Sequence, residues 1–290
     1  MTTFLQIGPY GPGCDEKSPF PDGQPHITID GEPAAYIEDS DGVTFTARIA
    51  SAIDLLNIGA AVDVARNLNP EIKVDLVLLY VWGRMDRRIS DREPYTLRVI
   101  CDFINSLNLR SVSVFCPHSQ ATSDLLCNYR QLPQNVEDKF FNSGVANSIV
   151  QTTGVPENAF REMSNLSLVF PDAGAAKRFA KSSLFSRYEN ASIVTLHKDR
   201  DERTGEIKGT KIIQGCVTSN CVIIDDLCDG GATFKGASAA LRELGAKKVS
   251  LVVAHGIFSK GTTIPTIDYI YTSNSFKEWE SHDGFGVFKF

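Results

Sequence analysis

The sequence predicts an α/β protein with two domains, each built on a mostly parallel sheet flanked by helices. The chain has 290 residues, which suits two domains of about 145 residues better than one. In both halves, apolar runs short enough for buried strands alternate with helical patterns, as in parallel sheets covered by helices. The hydrophobic fraction of 42% and the charged fraction of 22% exclude a disordered or fibrous chain.

The first half is ordered as short strand, helix, strand, loop, helix and strand. Gly and Pro are frequent in the first forty residues, which predicts loops around short strands there. Pro94 suits the first position of a helix because its missing N–H needs no partner there. The predicted elements are strand 26–29, helix 48–68, strand 76–82, charged loop 84–91, a helix from Pro94 to about Leu107 and strand 111–116.

The polar stretch 129–143 contains Pro133 and shows little periodicity, so we place the boundary between the domains there, at 1–143 and 144–290. The second half repeats the alternation, and its dense charges predict a loop at 198–211. The other predicted elements are strands 166–170, 192–196, 221–224, 249–254 and 269–272 and helices 173–181 and 232–244.

Composition excludes several classes of function. The net charge of −6 argues against nucleic acid as a main partner. No apolar run approaches the ~20 residues that cross a membrane, and the N-terminus lacks a secretory pattern. The seven cysteines are odd in number and lack CxxC spacing, so reduced thiols in a cytoplasmic protein are expected and a zinc site is not.

The strongest functional signal is segment 221–233, where a buried strand delivers Asp225 and Asp226 and a glycine turn (residues 229–233) then opens a helix. Ligands of open α/β sheets bind at the carboxyl ends of strands. Backbone N–H groups at a helix start bind phosphate, and glycines let it approach. Because adjacent acids suit the vicinal hydroxyls of a sugar, the segment predicts a pocket for a ribose 5-phosphate unit. A solvated turn in which Asp229 caps the helix is the structural alternative, and the bare pattern leaves it open.

Segment 221–233 resembles the phosphoribosyl-diphosphate loop of type I phosphoribosyltransferases and of ribose-phosphate diphosphokinases. Plain phosphoribosyltransferases lack segments like those at Arg84, His118 and Lys198, so the diphosphokinases are the better match. Six other segments resemble theirs in family order: Phe20-Pro21-Asp22-Gly23-Gln24, Arg84-Met85-Asp86-Arg87-Arg88, Pro117-His118-Ser119-Gln120, Pro171-Asp172-Ala173-Gly174-Ala175-Ala176-Lys177-Arg178, His197-Lys198-Asp199-Arg200 and His255-Gly256-Ile257-Phe258-Ser259.

The resemblance implies two domains of the type I phosphoribosyltransferase fold with the active site between them, the N-terminal one on the ATP side and the C-terminal one on the ribose-phosphate side. It implies transfer of the β,γ-diphosphate of ATP, with Mg²⁺, to the C1 hydroxyl of a 5-phosphoribosyl acceptor. Ribose 5-phosphate is the expected acceptor, giving phosphoribosyl diphosphate and AMP. A homo-oligomer is also implied, because in the family the loop at Phe20 comes from a neighbouring subunit.

Site residues are assigned through this resemblance alone. The assignments are Lys198 and Arg200 as catalytic cations on a flexible lid at 199–210; Phe20, Asp22, Arg84, Asp86 and His118 for ATP; His118 and Asp172 for magnesium; Asp225 and Asp226 for the ribose hydroxyls; and Asp229, Gly230, Gly231, Ala232 and Thr233 for the 5-phosphate. No role is assigned to His255.

Each assignment has a structural alternative. The charges after Lys198 are typical of a solvated loop, and a lone histidine such as His118 after a strand is more often structural. Asp172 has the position of a helix N-cap. Phe20 has the character of a core residue.

The sequence departs from the family pattern in four places. The stretch before Phe20 is short, Gln24 replaces an acid, and Met85 replaces an amide. Gly230 replaces a threonine in the glycine turn, which removes a hydroxyl donor and clears space. A cleared pocket motivates ADP-ribose as an alternative acceptor, with ADP-ribose pyrophosphate as a product for NAD synthesis. Gln24 and Met85 also suit a third hypothesis, a non-catalytic regulatory homologue.

Overall fold

Buried strands alternate with helices along both halves of the chain, and this confirms the predicted α/β class. The computed structural model describes residues 5–7, 15–17, 20–156, 165–180, 182–200 and 207–290. The chain divides into two compact units, Met1–Pro133 and Gln134–Phe290.

The strands are β1 (Leu5–Ile7), β2 (Asp15–Lys17), β3 (His26–Thr28), β4 (Gly42–Arg48), β5 (Lys73–Tyr80), β6 (Ser111–Val114), β7 (Leu166–Phe170), β8 (Ser192–Arg200), β9 (Ile207–Gln214), β10 (Asn220–Cys228), β11 (Lys248–Gly256), β12 (Tyr269–Ser273) and β13 (Phe285–Phe288). The helices are α1 (Gly31–Asp39), α2 (Ala52–Leu68), α3 (Thr96–Ser106), α4 (Ala121–Leu125), α5 (Gln134–Thr153), α6 (Ala173–Phe179), α7 (Leu184–Arg187) and α8 (Ala232–Glu243).

The first unit is built on a four-stranded sheet in the order β1-β4-β5-β6. The last three strands are parallel, and β1 pairs antiparallel with β4. Strands β4 and β5 present the fully buried Phe45, Leu76 and Leu78 to one core, against which Ile104 of α3 packs. This core holds the loops after β5 and β6 at one edge of the sheet.

The second unit is built on a seven-stranded sheet in the order β13-β12-β11-β10-β7-β8-β9, in which all pairs but β8 and β9 are parallel. Helix α5 packs on β11 and β12. A Cβ on Gly144 of α5 would lie 2.6 Å from Val252 Cγ1, so the helix approaches the sheet too closely for a side chain there. Strand β10 lies near the middle, with β7 and β11 as parallel neighbours.

Two predictions for the first half of the chain need correction. The helix predicted for 48–68 begins at Ala52, because Ser51 and Asp54 form a capping box in which the Ser51 hydroxyl accepts the Asp54 N–H at 3.2 Å. Arg48 instead ends β4. The first forty residues were expected to hold loops and short strands, yet α1 forms there.

The two polar segments were also interpreted wrongly. Helix α5 starts at Gln134, inside the stretch 129–143 that lacks clear periodicity, so residues 134–143 belong with the second unit. The charged loop predicted for 198–211 is in part a β-hairpin, because β8 continues to Arg200 and pairs antiparallel with β9. Residues 201–206, in the middle of the predicted lid, lie outside the described residues.

In the described part of the chain, no helix is long and apolar enough to cross a membrane. The six cysteines described there, Cys101, Cys116, Cys127, Cys216, Cys221 and Cys228, are all free thiols.

Candidate functional site

The candidate site of the second unit lies where three parallel strands end side by side. Strand β10 pairs with β7 on one side and with β11 on the other. The loop after β7 leads through Asp172 into α6, and the loop after β10 leads through the glycine turn into α8. Because parallel strands end at the same edge, these loops and the one after β11 form one mouth, the usual ligand position in α/β sheets.

Asp225 and Asp226, the acid pair, lie within the last part of β10 rather than after it. Arg178 of α6 faces both of them. Its Nη1 lies 2.7 Å from Asp226 Oδ1 and 3.9 Å from Asp225 Oδ1. The Asp226 backbone N–H also donates to Asp225 Oδ1 at 2.9 Å. Arg178 therefore fixes the acid pair and is a site residue that sequence reasoning missed, although it lies in a segment quoted for the family resemblance.

Burial raises the pKa of Asp225 well above its ordinary value of 3.8, and the negative charge of Asp226 adds to this shift. One arginine cannot offset two buried carboxylates completely. The pair consequently favours ligands that donate hydrogen bonds to it, such as the hydroxyls of a sugar.

The geometry of the glycine turn allows its backbone to approach a ligand closely. Gly231 has a φ of 75°, and it is the N-cap residue of α8 with no side-chain cap. A Cβ there would lie 2.9 Å from Ile264 Cδ1, so glycine is needed for both conformation and space. The N-cap residue is therefore Gly231 and not Asp229, as the capping alternative had it. The first N–H groups of any α-helix have no intrahelical partner, so the start of α8 suits an anion.

Gly230 is in contact with the loop that follows β11. The carbonyl of Cys228 accepts the backbone N–H groups of Ile257 and Phe258 at 2.8 and 3.2 Å, which ties this loop to the glycine turn. A Cβ on Gly230 would lie 3.4 Å from both Cδ and Cε of Lys260. The Lys260 stem therefore lies beside the turn, and the sequence carried no signal for this because the two residues are thirty positions apart.

Asp172 acts as a helix cap in the structure. It is the N-cap residue of α6, and its Oδ1 accepts the Ala175 N–H at 2.9 Å. The structural alternative for Asp172 is therefore confirmed, and its role toward magnesium stays a prediction. Among the described residues, no three His, Cys, Asp or Glu side chains cluster as a metal site. Mg²⁺ commonly uses one or two protein ligands with waters and substrate phosphates, so a single ligand such as Asp172 fits that pattern.

In the first unit, the loop after β5 carries Arg84 and the loop after β6 carries His118, and the two loops are in contact. A Cβ on Gly83 would lie 2.7 Å from the His118 Cβ, so the histidine packs directly against the backbone before Arg84. Arg84 is exposed, and Asp86 and His118 are half-buried. Two segments assigned to ATP from sequence are thus neighbours.

Phe20 and Asp22 lie on a tight turn. The Phe20 N–H donates to the carbonyl of Gln24, and the Asp22 carboxylate accepts the Gln24 N–H at 3.0 Å. The Phe20 ring stacks on His26 with centroids 5.4 Å apart and is 48% exposed. Core packing, the alternative for Phe20, is therefore wrong, while Asp22 has a structural role in the turn.

The structure says less about the remaining residues of the sequence analysis. Lys198 and Arg200 lie in β8, but their side chains are outside the described part of the structure. His255 is buried at the end of β11, with Nδ1 2.8 Å from Ser275 Oγ. Its hydrogen bond gives it a structural role.

Comparison with known proteins supports the predicted family. A ribose-phosphate pyrophosphokinase of Ureaplasma parvum is 27% identical over 205 residues, which span 71% of this chain but 57% of that protein. One from Mycoplasma pneumoniae is 24% identical over 275 residues, 91% of this chain and 76% of its own length. A phosphoribosylpyrophosphate synthetase structure from Mycobacterium smegmatis superimposes with a TM-score of 0.69 at 16% identity, covering 95% of this chain and 85% of that one. No family model matches the chain.

Proposed function

Because the chain is a divergent relative of the ribose-phosphate pyrophosphokinase family, we propose that it transfers the β,γ-diphosphate of ATP to ribose 5-phosphate. The C1 hydroxyl oxygen attacks the β-phosphorus, the bond from that phosphorus to the α–β bridging oxygen breaks, and AMP leaves with that oxygen. The hydroxyl proton is released. The products are phosphoribosyl diphosphate and AMP.

The observation that carries the proposal is the acid pair beside the glycine turn. Asp225 and Asp226, held by Arg178, accept hydrogen bonds from the ribose 2- and 3-hydroxyls. Gly231 and the N-terminus of α8 hold the 5-phosphate through backbone N–H groups, with the Thr233 hydroxyl as a further donor. Together they hold two parts of the sugar and so position its C1 hydroxyl for reaction.

The first unit supplies the ATP contacts in this proposal. The exposed Phe20 ring suits stacking on adenine, and exposed Arg84 suits a phosphate. Lys198 and Arg200 bring positive charge to the transferred diphosphate. Mg²⁺, held mainly by substrate phosphates with Asp172 or His118 as a protein ligand, neutralises phosphate charge when bound. A neighbouring copy of the chain supplying the Phe20 loop is part of the proposal.

ADP-ribose is the second acceptor to consider, since Gly230 removes a side chain from the turn. The stem of Lys260 lies 3.4 Å from the position of a Cβ on Gly230, so it borders the cleared space on one side. Ribose 5-phosphate is preferred because the curated relatives are ribose-phosphate pyrophosphokinases. A regulatory homologue without catalysis has no need of a fixed acid pair, and the arrangement around Arg178 argues against it.

Mass spectrometry of two parallel reactions tests the proposal. Both contain protein, ATP and Mg²⁺, one with ribose 5-phosphate and the other with ADP-ribose. We expect AMP and phosphoribosyl diphosphate in the first and neither product in a matched reaction with Asp225→Ala. If diphosphorylated ADP-ribose forms and the reaction with ribose 5-phosphate gives no product, ADP-ribose is the acceptor instead of ribose 5-phosphate. No AMP in either would support the regulatory homologue.

A further inference from the structure

The glycine turn and the acid pair carry negative charge that would repel a phosphate monoester. Residues 225–234 include three acids, Asp225, Asp226 and Asp229, and no lysine or arginine. Arg178 lies on the acid pair, 2.7 Å from Asp226 Oδ1. A dianionic 5-phosphate on the turn would therefore approach an acidic segment that supplies no lysine or arginine of its own.

Side-chain donors are also few at the turn. Gly230, Gly231 and Ala232 have none, and the first hydroxyl belongs to Thr233. The neighbouring loop supplies what is missing. Backbone bonds from Ile257 and Phe258 to the Cys228 carbonyl fix that loop against the turn.

Lys260 lies two residues after this anchored stretch. Its Cγ, Cδ and Cε lie 3.7, 3.4 and 3.4 Å from the position of a Cβ on Gly230. The residue is exposed, so its ammonium, one bond beyond Cε, is solvated beside the turn. The stem of such a lysine packs on the glycine while its ammonium group stays in water when no ligand is bound. The ammonium group can therefore rotate toward a bound anion, and the unliganded protein does not have to bury a charge.

We propose that Lys260 binds the 5-phosphate of the acceptor and favours a phosphate monoester over a diphosphate ester. This inference rests on the proposed function and names a further residue of the same site. A monoester dianion attracts the ammonium more strongly than the singly charged 5-phosphoryl group of ADP-ribose does. The lysine stem lies within van der Waals contact of the position that a Cβ on Gly230 would take.

Isothermal titration calorimetry with ribose 5-phosphate and with ADP-ribose tests this on the full chain. Lys260→Met keeps the stem and removes the charge, and Lys260→Arg keeps the charge. Lys248→Met is the matched control, since Lys248 is an exposed lysine at the opposite end of β11. Lys235→Met tests the first lysine after the glycine turn in sequence, in the first turns of α8. Thermal unfolding of each variant checks its fold.

We expect Lys260→Met to weaken ribose 5-phosphate binding about tenfold or more, with a smaller loss for ADP-ribose, while Lys260→Arg and Lys248→Met bind as the unmodified protein does. Equal affinity in Lys260→Met, or a loss confined to Lys235→Met, overturns the inference and leaves the proposed function intact. Lys260-dependent binding without AMP formation supports the inference and overturns the proposed function. No ribose 5-phosphate binding by the unmodified protein overturns both.

Discussion

Replacing Gly231 by alanine should destabilise the second unit far more than an ordinary glycine substitution. The φ of 75° costs an L-residue about 1–2 kcal/mol. The added Cβ would also lie 2.9 Å from Ile264 Cδ1 and 3.0 Å from its Cγ1. Ile264 is only 6% exposed and cannot simply turn into solvent. Overpacking of this kind costs about 1–3 kcal/mol, so we expect a total loss of about 2–5 kcal/mol.

Two other glycines separate the contributions. Gly245, just after α8, has a φ of 101° with nothing within 4 Å of a Cβ, so Gly245→Ala measures the backbone cost alone. At Gly230 a Cβ would make ordinary contacts of 3.4 Å with a flexible lysine, so Gly230→Ala should change stability by less than about 0.5 kcal/mol. The expected order of loss is Gly231, then Gly245, then Gly230.

The assay is urea unfolding followed by the fluorescence of Trp279, whose Nε1 donates to the Gly256 carbonyl at 2.9 Å within the second unit. A Trp82→Phe background removes the other tryptophan. Ile264→Val deletes the Cδ1 atom, so Gly231→Ala should cost less in that background. Equal losses for Gly231→Ala and Gly245→Ala, or no relief from Ile264→Val, would refute the close contact.

Three further predictions concern the charged and exposed residues. Arg178→Met leaves the acid pair without its cation and should lower stability by about 1–3 kcal/mol, seen as a lower urea midpoint; an unchanged midpoint would show that the ion pair is not formed. The raised pKa of Asp225 means that stability falls as pH rises above 3.8, because the unfolded carboxyl ionises first. Asp225→Asn should therefore raise the melting temperature at pH 7 but not below pH 3.8, and a lower melting temperature at pH 7 would contradict the assigned shift. Phe20→Ala should leave the melting temperature unchanged, since the ring is 48% exposed, but raise the KM for ATP several-fold; a large drop in melting temperature would indicate core packing instead.

The buried strands were predicted well from the sequence, because a short continuous apolar run is typical of a strand that is buried on both faces. The strands at 166–170 and 269–272 lie within one residue of the observed β7 and β12. Helix α3 was expected from its apolar stripe, although it starts at Thr96 rather than Pro94. These elements can be predicted because the pattern of buried residues lies within one continuous segment.

The elements that were missed depend on partners elsewhere in the chain. Strand β9 mixes three isoleucines with lysine and polar residues in a densely charged segment, and it is a strand because β8 pairs with it at the edge of the sheet. Helix α5 has almost no amphipathic pattern, because the small Gly144 lies against Val252 and the polar Ser148 is fully buried. No local periodicity indicates such an element.

The same distinction holds at the site. Asp225, Asp226 and the glycine turn form one continuous segment, and its geometry could be anticipated. Arg178 and Lys260 come to it from other loops and helices, and their roles follow only from distances. Asp172 was correctly given a capping alternative because an Asp before a helical pattern has that local signature.

The most direct test of the central claim is the fate of the γ-phosphate of ATP. ATP labelled with ³²P at the γ-position is incubated with protein, Mg²⁺ and ribose 5-phosphate, and the products are separated by chromatography. We expect the label in phosphoribosyl diphosphate, with one AMP formed for each labelled product. Label in inorganic phosphate or in a singly phosphorylated product, together with ADP, would contradict diphosphate transfer.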